Sequence, residues 1–133
     1  MEFFGDMYSR LSRFFKEHGI SQLQMDTDGN AMRMIPSFLE VGVTGLFPLE
    51  VQSGMNPAEI RDMYPTLFLK GGIDKRALIH GKDAIENEIK SKFDIAWSKG
   101  MYLPWVDHGI PPDVSWDNFR YFVEIYKKHA NHK

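Results

Sequence analysis

Short apolar segments alternate with segments of helical pattern along the whole chain. The apolar segments lie at about 21–25, 43–50, 66–72 and 101–108. The helical segments lie at about 6–17, 31–40, 57–63, 82–98 and 116–128, the last with Ser115 as its N-cap. Strands that alternate with helices pair in parallel through right-handed crossovers, and apolar strands of this kind are buried. The order of the segments therefore predicts an α/β fold with four parallel strands.

Polar side chains stand where each apolar segment ends. In α/β proteins the carboxyl ends of parallel strands form the edge at which ligands bind. Because the polar residues share this position, we expect them to surround a common site. They are Asp26, Asp28, Glu50, Asp74, Lys75, Asp107 and His108. For Asp28 and Asp74 the alternative is that each caps the following helix, since aspartate favours helix N-caps.

The sequence QMDTDGN, residues 24–30, places two aspartates one residue apart. Side chains at positions i and i+2 of a strand point to the same face, so Asp26 and Asp28 would project together. Two adjacent carboxylates repel each other unless a cation lies between them or one of them takes a proton. Both aspartates are therefore candidate ligands of a divalent metal ion that prefers oxygen.

Two further segments carry groups suited to binding or acid–base chemistry. In KGGIDK, residues 70–75, the glycines allow the backbone to approach a ligand, and Lys75 is a candidate anion contact. A tight strand-to-helix turn explains the same pattern. His108 precedes Gly109 and two prolines, and this stiff loop would hold the imidazole for proton transfer or metal binding. The alternative is a histidine whose ring bonds to local backbone groups.

Charge and cysteine content exclude several classes of function. The chain has 16 Lys plus Arg against 18 Asp plus Glu, which argues against broad electrostatic binding to nucleic acid or to an anionic membrane. It has no cysteine, so thiolate nucleophiles and zinc–thiolate sites are excluded and a reducing cytoplasm is the expected location. No apolar run reaches the roughly 18 residues of a membrane helix. The expected partner is a small molecule.

Four blocks of the sequence, taken in order, match a known pattern. They are DTDGN, GVTGLFPLEVQSGMNPAEIRDMYP, LKGGIDKRAL with GKDAIENEI, and GMYLPWVDHGIPPDVSWDNFRYF. Together they resemble the C-terminal half of the uroporphyrinogen decarboxylase superfamily, which includes the porphyrin-pathway decarboxylase and the methylcobalamin:coenzyme M methyltransferases. The resemblance implies a TIM barrel, of which these strands are the last four. Because such a barrel needs about 250 residues, residues 1–133 would form a single partial domain, half of a barrel.

The resemblance also implies roles for single residues. In the decarboxylases a histidine in a G-H-G stretch after the last strand lies in the active-site cleft, and DHGI puts His108 there with Asp107 in place of the first glycine. These two residues are the expected catalytic residues. From their position at the strand ends, and not from the resemblance, Glu50, Asp74 and Lys75 are expected to bind the substrate. The family's catalytic aspartate and carboxylate-binding arginines come from the first half of the barrel, which lies outside this sequence.

In the methyltransferase branch, zinc is held by a His-x-Cys sequence after the fifth strand and by a Cys after the eighth. The sequence DTD occupies the His-x-Cys place, so Asp26 and Asp28 stand where those proteins have metal ligands. Oxygen ligands favour a harder ion than the zinc of a thiol-activating site. An acid-lined mouth is also a poor match for a substrate that carries many carboxylates.

Three functional hypotheses follow from the resemblance. In the first, the parent protein is a lyase that decarboxylates a tetrapyrrole, uroporphyrinogen, in porphyrin biosynthesis. In the second, it is a corrinoid-dependent methyltransferase with a metal site at the barrel mouth and a methyl donor as substrate. In the third, the isolated half-barrel is inactive and self-assembles, because two sheet edges without neighbours favour a homodimer or a larger assembly.

Overall fold

The computed structural model describes residues 4–131 and contains, within that range, five α-helices and four β-strands. The helices are α1 (Gly5–Glu17), α2 (Ile35–Glu40), α3 (Pro57–Met63), α4 (Lys82–Lys99) and α5 (Trp116–Ala130). The strands are β1 (Gln24–Asp26), β2 (Gly45–Phe47), β3 (Phe68–Ile73) and β4 (Tyr102–Val106). None of the helices in the described range combines the length and the apolarity needed to cross a bilayer.

The four strands form one sheet in the order β1-β2-β3-β4, and each neighbouring pair is parallel. One line of paired residues runs from Met25 through Leu46 and Leu69 to Tyr102. The strand order follows the sequence without the reversal that doubly wound sheets contain. The predicted fold class is confirmed: the chain is α/β, its parallel strands alternate with helices, and the arrangement is consistent with half of a TIM barrel.

The helices cover one face of the sheet. In β4, Tyr102, Pro104 and Val106 are buried, whereas Leu103 and Trp105 are 40% and 45% exposed. Because side chains alternate between the two faces of a strand, this pattern separates a covered face from an open face. The covered face carries the core, which consists of two apolar clusters. One joins β2 and β3 to α2 and α3, and the other joins the ends of β3 and β4 to α4 and α5.

Strand β1 and helix α2 begin later than the sequence pattern predicts. The segment 31–40 starts as a 3₁₀ turn at Met32–Met34 and becomes α-helical only at Ile35. Pro36 lies in the first turn of α2, where its missing N–H removes no helical hydrogen bond, and its ring would clash with the carbonyl of an α-helix begun a turn earlier. Before β1, the N–H of Leu23 donates to Thr44 Oγ1 at 2.8 Å, so the strand ladder starts after that residue.

Two glycines in β3 allow the segment that follows β2 to approach closely. Gly71 has a φ of +120°, and a Cβ there would lie 2.4 Å from the backbone nitrogen of Leu49. Gly72 has a φ of +79°, and its N–H donates to the Leu49 carbonyl at 3.1 Å. Such backbone angles and such a close approach favour glycine. The contact carries the chain to Glu50 at the carboxyl edge of the sheet.

Candidate functional site

Three chemically active side chains meet at the carboxyl edge of the sheet. Asp28 follows β1, Glu50 follows β2 and His108 follows β4. One carboxylate oxygen or imidazole nitrogen from each lies within 4.8 Å of those of the other two. Residues far apart in sequence come together here because parallel strands present their carboxyl ends at one edge. We refer to Asp28, Glu50 and His108 as the mouth trio.

Glu50 is the fixed member of the mouth trio. Its Oε2 accepts hydrogen bonds from the backbone N–H of Gly29 at 2.7 Å and from Ser53 Oγ at 3.2 Å. The Gly29 N–H is the main reason that the pKa of Glu50 lies below its ordinary value, and partial burial opposes it. Since both hydrogen bonds go to Oε2, Oε1 remains available to a ligand. The Gly29 contact also ties the loop after β1 to the loop after β2.

A pocket of about 430 Å³ opens beside the mouth trio. Asp26 lies in its wall with Asp28 and His108, and both aspartates are exposed. The other lining residues are Phe47, Pro48, Trp105, Val106 and Gly109. The two aspartates thus face the same pocket, but Asp26 is not among the three groups that lie within 4.8 Å of one another. Asp28 lies close to Glu50 and His108, which follow other strands.

Aromatic residues form a part of this site that the sequence analysis did not identify. Phe47 and Trp105 line the pocket, and Lys70 Nζ lies 4.5 Å from the centre of the Phe47 ring and 5.6 Å from that of Trp105. A cation at these distances is attracted to the ring faces. The signal was present in the sequence YLPWV, where strand alternation puts Trp105 on the face opposite Tyr102 and Val106.

Asp107 has no exposed surface and is not part of the pocket lining. Its carboxylate accepts the backbone N–H groups of Val51 and Lys75, each at 3.2 Å, and lies 3.6 Å from Lys75 Nζ. The Asp107 N–H in turn donates to the carbonyl of Ile73 at 2.8 Å. Asp107 therefore joins the loops after β2 and β3 to the end of β4. Lys75, predicted as a substrate contact, has this carboxylate as its ion-pair partner.

Asp74 and Asp28 differ in how far they serve as caps. Asp74 accepts the backbone N–H of Arg76 at 2.9 Å and forms an ion pair with the Arg76 side chain at 2.7 Å, so it caps the turn that follows β3. After β1 it is Asn30, not Asp28, whose side chain accepts the N–H of Met32. Asp74 therefore acts as a cap, as the alternative interpretation predicts, and its carboxylate is not one of the three groups of the mouth trio.

Comparison with protein-family models gives no match. Over 65 residues the chain is 32% identical to the uroporphyrinogen decarboxylase of Hydrogenobaculum sp. (strain Y04AAS1). The matched segment is 49% of this chain and 19% of that protein, so the chain spans about a fifth of the relative's length. The similarity supports the resemblance to the uroporphyrinogen decarboxylase superfamily and does not discriminate between its branches.

The mouth trio is suited to two kinds of chemistry. An imidazole beside two carboxylates, one of them anchored, is an arrangement for proton transfer. The same oxygen and nitrogen atoms are also ligands of divalent cations. Both uses need access from solvent, and Asp28 and His108 are exposed while Glu50 is half-buried.

Proposed function

We propose that the chain supplies half of the active site of a uroporphyrinogen decarboxylase-like lyase that acts on a tetrapyrrole. The observation that carries this proposal is the meeting of Asp28, Glu50 and His108 within 4.8 Å at the carboxyl edge of the sheet. The partial similarity to a uroporphyrinogen decarboxylase supports it. Four further βα units would complete the barrel and supply the remaining wall of the pocket.

In this proposal His108 is the general acid. Decarboxylation breaks the bond between a carboxylate carbon and its neighbour, the electron pair stays on the neighbour, and CO₂ leaves. That carbon then takes a proton, which His108 would donate from the pocket wall. The carboxylates of Asp28 and Glu50 would orient the imidazole, and Glu50 is itself held by Gly29.

The lining of the pocket supports a flat, cyclic substrate. Phe47 and Trp105 offer aromatic faces, on which pyrrole rings can pack. Lys70 lies beside both rings and would attract a carboxylate of the substrate away from the acidic mouth trio. Asp107 and Lys75 would act as positioning residues, since they fix the loops that present Glu50 and His108.

Activity of the parent protein tests the role of His108. The substitution His108→Ala should lower kcat at least 100-fold, because general acid catalysis contributes about 10²–10⁴-fold, whereas KM should change little. His80→Ala is the matched control, since His80 is exposed and lines a different pocket. Equal turnover of uroporphyrinogen by the His108→Ala and His80→Ala proteins would remove His108 from the mechanism.

Binding to the isolated chain tests the substrate class separately. Uroporphyrin, the oxidised and stable form of the substrate, should quench tryptophan fluorescence when it packs on Trp105. The Trp105→Phe variant should lose most of this quenching, whereas Trp116→Phe, altered on helix α5, should retain it. Quenching that is the same in both variants would show that the tetrapyrrole does not enter the pocket.

A bound divalent metal ion is the second candidate, and it favours the corrinoid methyltransferase alternative. Two carboxylates and an imidazole within 4.8 Å fit a hard or intermediate cation, and Glu50 Oε1 is available as a ligand. Asp28 and His108 would complete the ligand set, with Asp26 in the adjacent wall. When bound, such an ion would polarise an oxygen atom of the substrate.

Calorimetric titration of the chain with Mg²⁺, Mn²⁺ and Zn²⁺ tests the metal proposal. One ion per chain should bind, and Asp28→Asn and Glu50→Gln should each weaken binding at least tenfold. Asp74→Asn is the control, because the Asp74 carboxylate is engaged by Arg76. A chain that binds none of the three ions, or variants that bind as well as Asp74→Asn, would reject the metal site while leaving the general-acid role of His108 to its own test.

A further inference from the structure

The open face of the sheet needs a covering partner. Parallel sheets occur with both faces covered, yet Leu103 of β4 is 40% exposed on the face opposite the buried Tyr102, and Trp105, whose ring also contacts Tyr126 of α5, is 45% exposed. Phe47 of β2 lines the pocket on that side and contacts Lys70 of β3. The open face thus carries apolar side chains on β2 and β4, with Lys70 of β3 between them.

Each edge of the sheet also carries an apolar helix surface. Helix α1, which precedes β1 in the chain and donates from Ser12 Oγ to the Gly42 carbonyl, has no buried residue, and its exposed apolar side chains include Met7, Leu11 and Phe14, with Phe4 just before the helix. Beside β4, an apolar groove of about 520 Å³ separates the strand from helix α5. Its lining includes Trp105, Ile110, Phe119, Phe122, Val123 and Tyr126. One edge therefore presents an apolar ridge and the other an apolar groove.

The exposed area is larger than a compact chain of this size presents. The chain exposes 8310 Å² at a mass of 15.4 kDa. A compact monomer of that mass exposes about 7,200 Å², so the excess is about 1,100 Å². A standard interface buries about 800 Å² on each partner. The excess is sufficient for one stable interface per chain.

We infer that, for the 133-residue chain by itself, a second copy covers the open face in place of the four further βα units, with the twofold axis parallel to the strands. Rotation about such an axis keeps all strands parallel and places β4 of each copy beside β1 of the other. Four strands from each copy then make the eight that close a barrel with a filled interior. The same rotation brings the α1 ridge of one copy to the α5 groove of the other. A homodimer of this geometry removes both strand edges at once.

The register of the new strand pair follows from the barrel geometry. In an eight-stranded barrel of shear 8, the strand register shifts by eight residues around the full circle, so each half contributes a shift of about four residues. Within one copy, Met25 lies on the same line of pairs as Tyr102. A four-residue stagger that keeps the carboxyl ends level puts Val106 beside Met25 of the partner copy, and Trp105 beside its Gln24. Leu103 is then diagonal to Gln24 across the interface, at about 7–8 Å.

Cross-linking of single-cysteine variants tests this geometry, because the chain has no cysteine of its own. The Gln24→Cys and Leu103→Cys variants, once mixed, should be joined by a short bis-maleimide. Each variant alone should not be joined, since equivalent residues lie on opposite sides of the barrel. Cross-linking of either variant alone, equal to that of the mixture, would overturn the proposal.

Light scattering of the 133-residue chain provides the second measurement. The unmodified chain should be a dimer, and Leu103→Glu should weaken the dimer at least tenfold, because two carboxylates would enter the closed interior. Trp97→Glu is the matched control, since Trp97 is 58% exposed on α4 and does not line the groove beside β4, and the variant should stay dimeric. A stable monomer of the unmodified chain would reject the second copy and leave a different four-stranded partner as the cover.

Discussion

Removal of the Asp107 carboxylate offers the sharpest test of how the carboxyl edge is held together. The side chain is fully buried and accepts two backbone N–H groups, from Val51 and Lys75. In Asp107→Ala both part-buried donors lose their acceptor, and each N–H left unsatisfied costs about 1–3 kcal/mol. The Lys75 side chain is 25% exposed, so its charge can return to water and adds little to the cost. We expect a loss of about 3–4 kcal/mol in the free energy of unfolding.

Urea denaturation followed by tryptophan fluorescence measures this loss. With an m-value of about 2 kcal/mol/M for a protein of this size, the midpoint should fall by about 1.5–2 M. The Asp107→Asn variant retains one oxygen acceptor, so its midpoint should lie between those of the unmodified chain and Asp107→Ala. All samples need the same protein concentration, because self-association would shift the midpoint.

Asp26→Ala is the matched control for this prediction, since Asp26 also ends a strand but is exposed. Its effect should stay within about 0.5 kcal/mol. If Asp107→Ala loses less than about 1 kcal/mol, or no more than Asp26→Ala, the two hydrogen bonds and the burial of Asp107 do not stabilise the edge as argued.

Two further predictions concern the loop after β2. The pKa of Glu50 is lowered in the folded chain, so its ionised form stabilises the fold above the ordinary value of 4.5, and this contribution disappears as the pH falls through the lowered value. Glu50→Gln should therefore lower Tm near neutral pH and have little effect on Tm in strong acid. Glu59→Gln on helix α3 should show no such difference between the two pH values. A decrease in the Tm of Glu50→Gln that is the same at both pH values would contradict the argument. Gly71→Ala should cost about 2–4 kcal/mol through backbone strain and the clash with Leu49. Gly109→Ala, which meets no atom within 4 Å, should be nearly neutral in the same thermal unfolding assay.

Hydrophobic patterning was sufficient to predict the element order of this chain. Each apolar segment became a strand, each helical segment contains a helix, and Ser115 caps α5 through the N–H of Asn118 at 3.2 Å. These features depend on residues close in sequence, so they are visible in a short window. Helix α2 starts later than the pattern of residues 31–40 predicts because Pro36 fits only the first turn of an α-helix.

The sequence predicts which residues lie at the carboxyl edge of the sheet, but not which of their side chains come together in the candidate site. Strand ends identified Asp28, Glu50 and His108, since parallel topology brings such ends together. The same rule did not distinguish these residues from Asp107, which also follows a strand but is fully buried. That difference depends on the backbone N–H groups of Val51 and Lys75, donors that carry no signature in the sequence.

The strand order has a consequence for how the molecule folds. Each strand pairs only with its neighbours along the chain, so the separation between pairing residues stays near the length of one helical connection. Parallel sheets fold slowly as a class, but pairing between neighbours along the chain closes shorter loops than pairing between distant segments, and a lower contact order goes with faster folding. Strands β3 and β4 share five paired residues, against two for β2 and β3. We expect the unit β3-α4-β4 to form the folding nucleus, with β2 and then β1 added to it in turn.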